Sequence, residues 1–198
     1  MEVPKTEMYR LAEQVGSVFQ NPKSQFFNID SDSEITFGLE NAGVEPKKIK
    51  ERYEATVSAL KIQSLLGRNI FSMSGGEKQS LAFASVYAMN PSVFVLDEPT
   101  ANLDYGNSCR VMERVKKLGQ TGYTIIFSTH DPNQAFSYAT KVLALKDGGV
   151  MASGAPRDVL TEAVLSQLYG IPVARCEVQT KLGTKTICMP MPGGEEDN

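Results

Sequence analysis

The sequence has no excess of positive charge: 20 Lys and Arg stand against 23 Asp and Glu, for a net charge of -3. A dedicated nucleic-acid binder carries a basic surface, so this balance argues against nucleic acid as a partner. No apolar run approaches the ~20 residues that a membrane-spanning helix needs. The first ten residues, MEVPKTEMYR, are too polar for a signal peptide. Cysteine is scarce, and Cys109, Cys176 and Cys188 form no CxxC pair or other metal-ligand spacing, which reads as reduced thiols in a cytosolic protein. Histidine is scarcer still, with His130 the only one in the chain.

What is present has the composition of a folded domain. Apolar residues make up 41% and charged residues 22% of 198, values that fit one globular domain of ordinary size. LAEQVGSVF (11–19) ends in a strand-like stretch, and SEITFGLENAG (33–43) reads as a short helix stopped by Gly43. After Pro46, residues Ile49, Tyr53, Val57 and Leu60 recur at helical spacing. A further helix is expected over about 76–89, stopped by Asn90 and Pro91. SVFVLDEPT and YTIIFSTHD then repeat one design, an unbroken apolar run ending in polar residues, which predicts parallel strands buried on both faces. Between them, YGNSCRVMERVKKLGQTG has a helical pattern closed by Gly119, which completes a strand–helix–strand unit. KVLALKDGGVMASG predicts a hairpin about Asp147-Gly148-Gly149. APRDVLTEAVLSQLYG predicts one helix with Pro156 near its start and Gly170 past its end, and two short strands are expected over 174–178 and 186–189. The tail PGGEEDN (192–198) is expected to be disordered.

In open α/β sheets, ligands gather at the carboxyl ends of the parallel strands. Asp97 and Glu98 leave one predicted strand there, and His130 follows the other. An acid directly after a buried strand can hold Mg²⁺, which prefers oxygen ligands. A second acid beside it can polarise a water for attack on a phosphoryl group. Pro99 fixes the chain's exit and holds the pair at the rim. The plainer reading of Asp-Glu-Pro is a turn that caps a strand, but the apolar strand before it and TANLD after it favour a site. In SMSGGEKQSLAFA (72–84), Ser74, Gly75 and Gly76 open an alanine-rich helix, although glycine is a poor helix former. Unpaired N–H groups at a helix N-terminus attract anions, and missing side chains let a phosphate approach the backbone. A simple N-cap accounts for Ser74 but not for two successive glycines.

VFQNP (18–22), SGGEKQ (74–79), FVLDEPT (94–100), ANLD (101–104) and STHD (128–131) occur in this order. They resemble the Q-loop, signature motif, Walker B, D-loop and H-loop of the ABC-type ATPase family. The resemblance implies an α/β fold of the P-loop NTPase type, with a mostly parallel sheet and a helical signature lobe. It implies ATP as substrate and Mg²⁺ as cofactor, with Asp97 and Gln20 at the metal. Glu98 would be the general base, His130 would contact the γ-phosphate, and Gln20 would also meet the attacking water. Ser74, Gly75, Gly76 and Glu77 would complete the nucleotide site of a second ABC ATPase domain, head to tail, with Asp104 organising the interface. The implied partners are that second domain, in a homo- or heterodimer, and a transmembrane permease subunit. The implied location is cytoplasmic, peripheral on the inner face of the cell membrane. A helical lobe is expected over about 28–90, the Walker B and H-loop core over about 91–150, and a C-terminal extension over about 151–191.

A member of this family carries a P-loop, GxxxxGK(S/T), upstream of the Q-loop. None of the 16 glycines is followed by lysine, and Gly183-Thr184-Lys185-Thr186 has the wrong order. Only 19 residues precede Gln20. The expectation is a family member lacking its N-terminal strands and Walker A, whose own binding of Mg-ATP is weak or absent. VFQNPKSQFF and SEITFGLEN resemble the ATP-binding subunits of energy-coupling-factor importers of vitamins and transition metals. There the segment after the Q-loop glutamine faces the membrane partner, which marks Lys23, Gln25, Phe26 and Phe27 as docking residues. Core filling by Phe26 or Phe27 is the plainer alternative. THDPNQAFSYATKVLALKDGGVMASGAPRDVLTEAVLSQLYGIPV resembles ATPases of iron-siderophore, cobalamin and molybdate importers. Two other readings stand beside an importer ATPase. A silent module that offers only its signature face is favoured by the missing P-loop and opposed by Glu98 and His130. A soluble ABC ATPase of DNA repair or translation is opposed by the lack of a coiled-coil insertion and a basic linker.

Overall fold

The computed structural model describes residues 8–101, 103–181 and 183–191; the predicted tail, 192–198, lies outside the described residues. The chain forms two compact units that follow one another in sequence at Ser128 and Thr129.

In the first unit, α1 (Met8–Gln14) runs directly into β1 (Val15–Val18). With β2 (Val93–Leu96) and β3 (Thr124–Phe127) it forms a parallel sheet in the order β1-β2-β3, with Val18 opposite Leu96 and Leu96 opposite Phe127. The central strand buries Phe94 and Leu96, and β1 buries Val18 beside them. β3 departs from the expectation of strands buried on both faces. Among the described residues it pairs on one side only, and Ile126 is 56% exposed. The chain passes from β2 to β3 through α5 (Tyr105–Gln120), which buries Met112, Val115 and Leu118 at helical spacing. Gly119 lies inside α5 rather than closing it, and the turn instead uses Gly122, at a φ of 100°.

A helical lobe fills the long connection from β1 to β2. It contains α2 (Ser31–Asn41), α3 (Pro46–Leu60) and α4 (Gly75–Ala88). Asp30 caps α2 by accepting the Ser33 N–H, and Gly43 takes a φ of 66° just beyond its end. Pro46 opens α3, as its missing N–H allows. The lobe's core joins Ile35 and Leu39 of α2, Val57 and Leu60 of α3, and Leu81 and Ala84 of α4. Burial of each large side chain contributes about 1.5–3 kcal/mol. At the far end of α4, Gly16 of β1 lets the helix approach the sheet: a Cβ there would lie 2.3 Å from Val86 Cγ1 and 2.9 Å from Pro91 Cγ.

The second unit contains α6 (Pro132–Tyr138), the hairpin β4 (Val142–Lys146) and β5 (Gly149–Gly154), then α7 (Pro156–Val159), α8 (Glu162–Tyr169) and the hairpin β6 (Val173–Thr180) and β7 (Gly183–Pro190). Asp147 and Gly148 turn the first hairpin with φ of 50° and 76°, the left-handed pair that a two-residue turn needs. The single helix expected between Pro156 and Gly170 is two helices, because the Thr161 hydroxyl accepts the Val164 N–H and starts α8 afresh. Ala135, Leu160, Leu165 and Val173 form this unit's core. Asn133 pins β7 with two bonds to the backbone of Cys188, at 3.2 and 2.7 Å.

Candidate active site

β2 ends at Leu96, and the next residue extends its ladder: the Asp97 N–H donates to the Val18 carbonyl at 2.9 Å. Glu98 then takes a φ of 39°, in the left-handed region that non-glycine residues rarely adopt. This turn carries the chain off the sheet and leaves both acidic side chains at the carboxyl edge, ahead of the buried Pro99. Three bonds hold it. The Ser128 Oγ accepts the Glu98 N–H at 2.8 Å and donates to Asp97 Oδ1 at 2.8 Å. The Ala101 N–H donates to the Glu98 carbonyl at 2.9 Å. From the end of β1, Gln20 Nε2 reaches across to donate to Glu98 Oε2 at 2.9 Å. The structure therefore brings Gln20, Asp97 and Glu98 together at one edge.

Ser74, Gly75, Gly76 and Glu77 form a second group, at the N-terminus of α4. They make a capping box: the Ser74 Oγ accepts the Glu77 N–H at 3.3 Å, and Glu77 Oε2 accepts the Ser74 N–H at 2.7 Å. Arg68 donates to the other oxygen of Glu77 at 2.6 Å. That bond first, then the Ser74 N–H, lowers the Glu77 carboxyl to about 2. Gly76 has a packing role that its sequence neighbours do not suggest. A Cβ there would lie 3.3 Å from Asn107 Cγ. Asn107 in turn is bound to Asp104, whose Oδ1 accepts its N–H at 2.8 Å and caps α5. This bond holds the Asp104 carboxyl below its ordinary range. Asp104 and the start of α4 are thus linked through one side chain.

His130 is exposed and belongs to the second unit, where its carbonyl accepts the Tyr169 hydroxyl at 3.0 Å. Of the four docking candidates, Gln25 is tied inward, accepting the Phe19 N–H at 3.1 Å and donating to the Ala82 carbonyl at 3.2 Å. Phe26 packs against the lobe's core. Phe27 is 76% exposed and stacks on Phe37 with ring centroids 4.8 Å apart, and Lys23 is exposed in the preceding turn. Sequence reasoning missed Ser128 and Arg68. Ser128 had a signal, a hydroxyl at the end of an apolar strand beside the acidic pair, whereas Arg68 lies in a loop with no motif around it.

The chain matches over residues 17–133 a protein family described as "AAA domain, putative AbiEii toxin, Type IV TA system". It is 45% identical over 150 residues to a "Putative ABC transporter ATP-binding protein" of Treponema denticola, covering 76% of this chain and 31% of that protein. It is 40% identical over 163 residues to the energy-coupling factor transporter ATP-binding protein EcfA1 of Halalkalibacterium halodurans, covering 82% of this chain and 58% of that one. The chain therefore spans only part of the length of these relatives. Among solved structures it resembles an inward-facing conformation of a "putative metal-chelate type ABC transporter", with a TM-score of 0.78 and 28% identity, covering 90% of this chain and 73% of that one.

Proposed function

The chain belongs to the ABC-type ATPases, and we propose that it is the ATP-binding and ATP-hydrolysing part of an importer for a metal, metal-chelate or vitamin cargo. The observation that carries this reading is the meeting of Gln20, Asp97 and Glu98 at the carboxyl end of β2, with Gln20 and Glu98 bonded at 2.9 Å. Phosphoryl transfer to water needs one group to take the water's proton and others to offset phosphate charge. Glu98 is the general base. Its backbone is held by Ser128 and its carboxylate by Gln20, so it meets a water in a fixed orientation. The Asp97 carboxylate and the Gln20 amide oxygen suit Mg²⁺, which takes one or two protein oxygens together with substrate phosphates and water. When bound, Mg²⁺ offsets the charge on those phosphates.

Ser74, Gly75 and Gly76 meet the nucleotide of a second ATPase domain, and His130 contacts the γ-phosphate. ATP closes the two domains head to tail, and hydrolysis reopens them. The GxxxxGK(S/T) loop absent from residues 1–198 is supplied in the assembled ATPase. The permease docks on Phe27 and Lys23. Exposed Ile29 and Phe71 extend that surface, flanking the bridge between Asp30 and Asn69. The energy-coupling factor and metal-chelate relatives support an importer of this cargo class. No helix among the described residues is long and apolar enough to cross a membrane.

The test is reconstitution with a permease in vesicles, followed by ATP-driven uptake of Co²⁺, cobalamin and an iron–siderophore. Uptake of one of them, with hydrolysis that Phe27→Asp uncouples from transport, is the expected result. Full-rate hydrolysis with no dependence on the permease contradicts it. A second reading, a module that lends only the α4 terminus to a catalytic partner, is favoured by the missing Gly-Lys pair. It predicts that Glu98→Gln has no effect.

A further inference from the structure

We propose that Ser128 is a positioning residue for the acidic pair: one hydroxyl at the end of β3 fixes the backbone of Glu98 and aims the carboxylate of Asp97. The inference rests on Asp97 and Glu98 being the hydrolytic pair. A serine hydroxyl offers one proton and two lone pairs. Here a lone pair takes the Glu98 N–H at 2.8 Å and the proton goes to Asp97 Oδ1 at 2.8 Å, which fixes the direction of the rotor. Ser128 is itself anchored, because its N–H donates to the Leu96 carbonyl at 3.0 Å and continues the ladder between β3 and β2. The clamp therefore stands on the sheet and not on a loop.

Glu98 needs such a clamp. At a φ of 39° it holds a strained conformation that persists only where neighbouring groups over-determine it. Its N–H has turned away from the ladder and requires another acceptor. Ser128 provides one, and by the same atom orients the neighbouring acid. Removal of the hydroxyl takes one bond from each residue at once. A general base displaced by a fraction of an ångström loses its alignment with the attacked phosphoryl group. Because Ser128 is exposed, truncation to alanine removes these two bonds and little packing.

The test compares Ser128→Ala with Ser128→Thr, which keeps the hydroxyl. In the 198-residue chain, amide hydrogen exchange at Glu98 should accelerate about tenfold in Ser128→Ala and return toward the original rate in Ser128→Thr. Amides of Phe94 to Leu96 and of Ile125 to Phe127 should keep their rates. In the assembled ATPase, Ser128→Ala should lower kcat about tenfold with KM unchanged, and Ser128→Thr should recover it. Unchanged exchange at Glu98 in Ser128→Ala overturns the proposal. So does uniform acceleration of both strands without rescue by threonine, because that is general loosening. Glu98→Gln separates the premise: if that variant keeps its turnover, the hydrolytic reading fails while the exchange result still decides whether Ser128 holds the turn.

Discussion

The side-chain amide of Gln20 donates to the carboxylate of Glu98 across 2.9 Å, joining positions 78 residues apart. One residue follows β1 and the other follows β2, so the bond spans the edge where adjacent parallel strands end. A hydrogen bond to a charged group contributes about 1.5–3 kcal/mol. Gln20→Ala should therefore lower turnover of the assembled ATPase by at least about tenfold and raise its Mg²⁺ requirement. A Mg²⁺ titration of the rate reads both. An unchanged rate at every Mg²⁺ concentration removes Gln20 from the site.

Arg68 and Glu77 give a pH dependence. Glu77 is lowered from 4.5 to about 2 in the folded chain, chiefly by its bond to Arg68. A group lowered in this way stabilises the fold fully above its unfolded value, and that stabilisation is lost as pH falls through the folded value. Arg68→Met should thus lower stability at pH 7 and flatten its decline between about pH 4.5 and 2. Both residues are about one-third exposed, so solvent screens the pair and the effect is small. Urea midpoints measured across that range decide it. Parallel curves for the two proteins contradict the assignment.

Two glycines should respond differently to alanine. Gly16→Ala drives a Cβ into Val86 and the rigid ring of Pro91, and should destabilise the first unit by about 1–3 kcal/mol. Gly38→Ala meets the Met89 sulfur at 2.7 Å, but that flexible side chain can move, and α2 gains about 1 kcal/mol of helix propensity. Denaturant midpoints should place Gly16→Ala clearly below Gly38→Ala. The reverse order contradicts the packing described for β1 and α4.

His130→Ala removes the chain's only imidazole while leaving the carbonyl that Tyr169 binds. Hydrolysis by the assembled ATPase should fall about a hundredfold with nucleotide affinity retained. Near-normal turnover takes His130 out of the mechanism.

Much of this was legible in the chain. The apolar runs before Asp97 and before Ser128, with a helical pattern between them, specify a strand–helix–strand unit, and β2, α5 and β3 form it. Helix ends were less legible, because several residue types compete for them. Gly119 looked like a stop, yet α5 tolerates it and turns at Gly122. Thr161 looked like a helix interior, yet its hydroxyl starts a new helix. Gly76 read as an opening for phosphate, and the approach of Asn107 gives it a second, packing reason. The motifs pointed to Gln20, Asp97 and Glu98, which the fold brings together. Long-range tethers such as Ser128 to Glu98 and Arg68 to Glu77 depend on loop geometry that no local pattern encodes.

The most direct test of the account is turnover in Glu98→Gln, measured in the assembled ATPase beside a nucleotide-binding assay. The substitution keeps the size and the polar contacts of the side chain and removes the base. If Glu98 takes the proton of the attacking water, turnover should fall about 10²–10⁴-fold while ATP stays bound. Turnover within a few-fold of the unsubstituted protein contradicts the account and leaves a chain that lends its α4 terminus to a partner's chemistry.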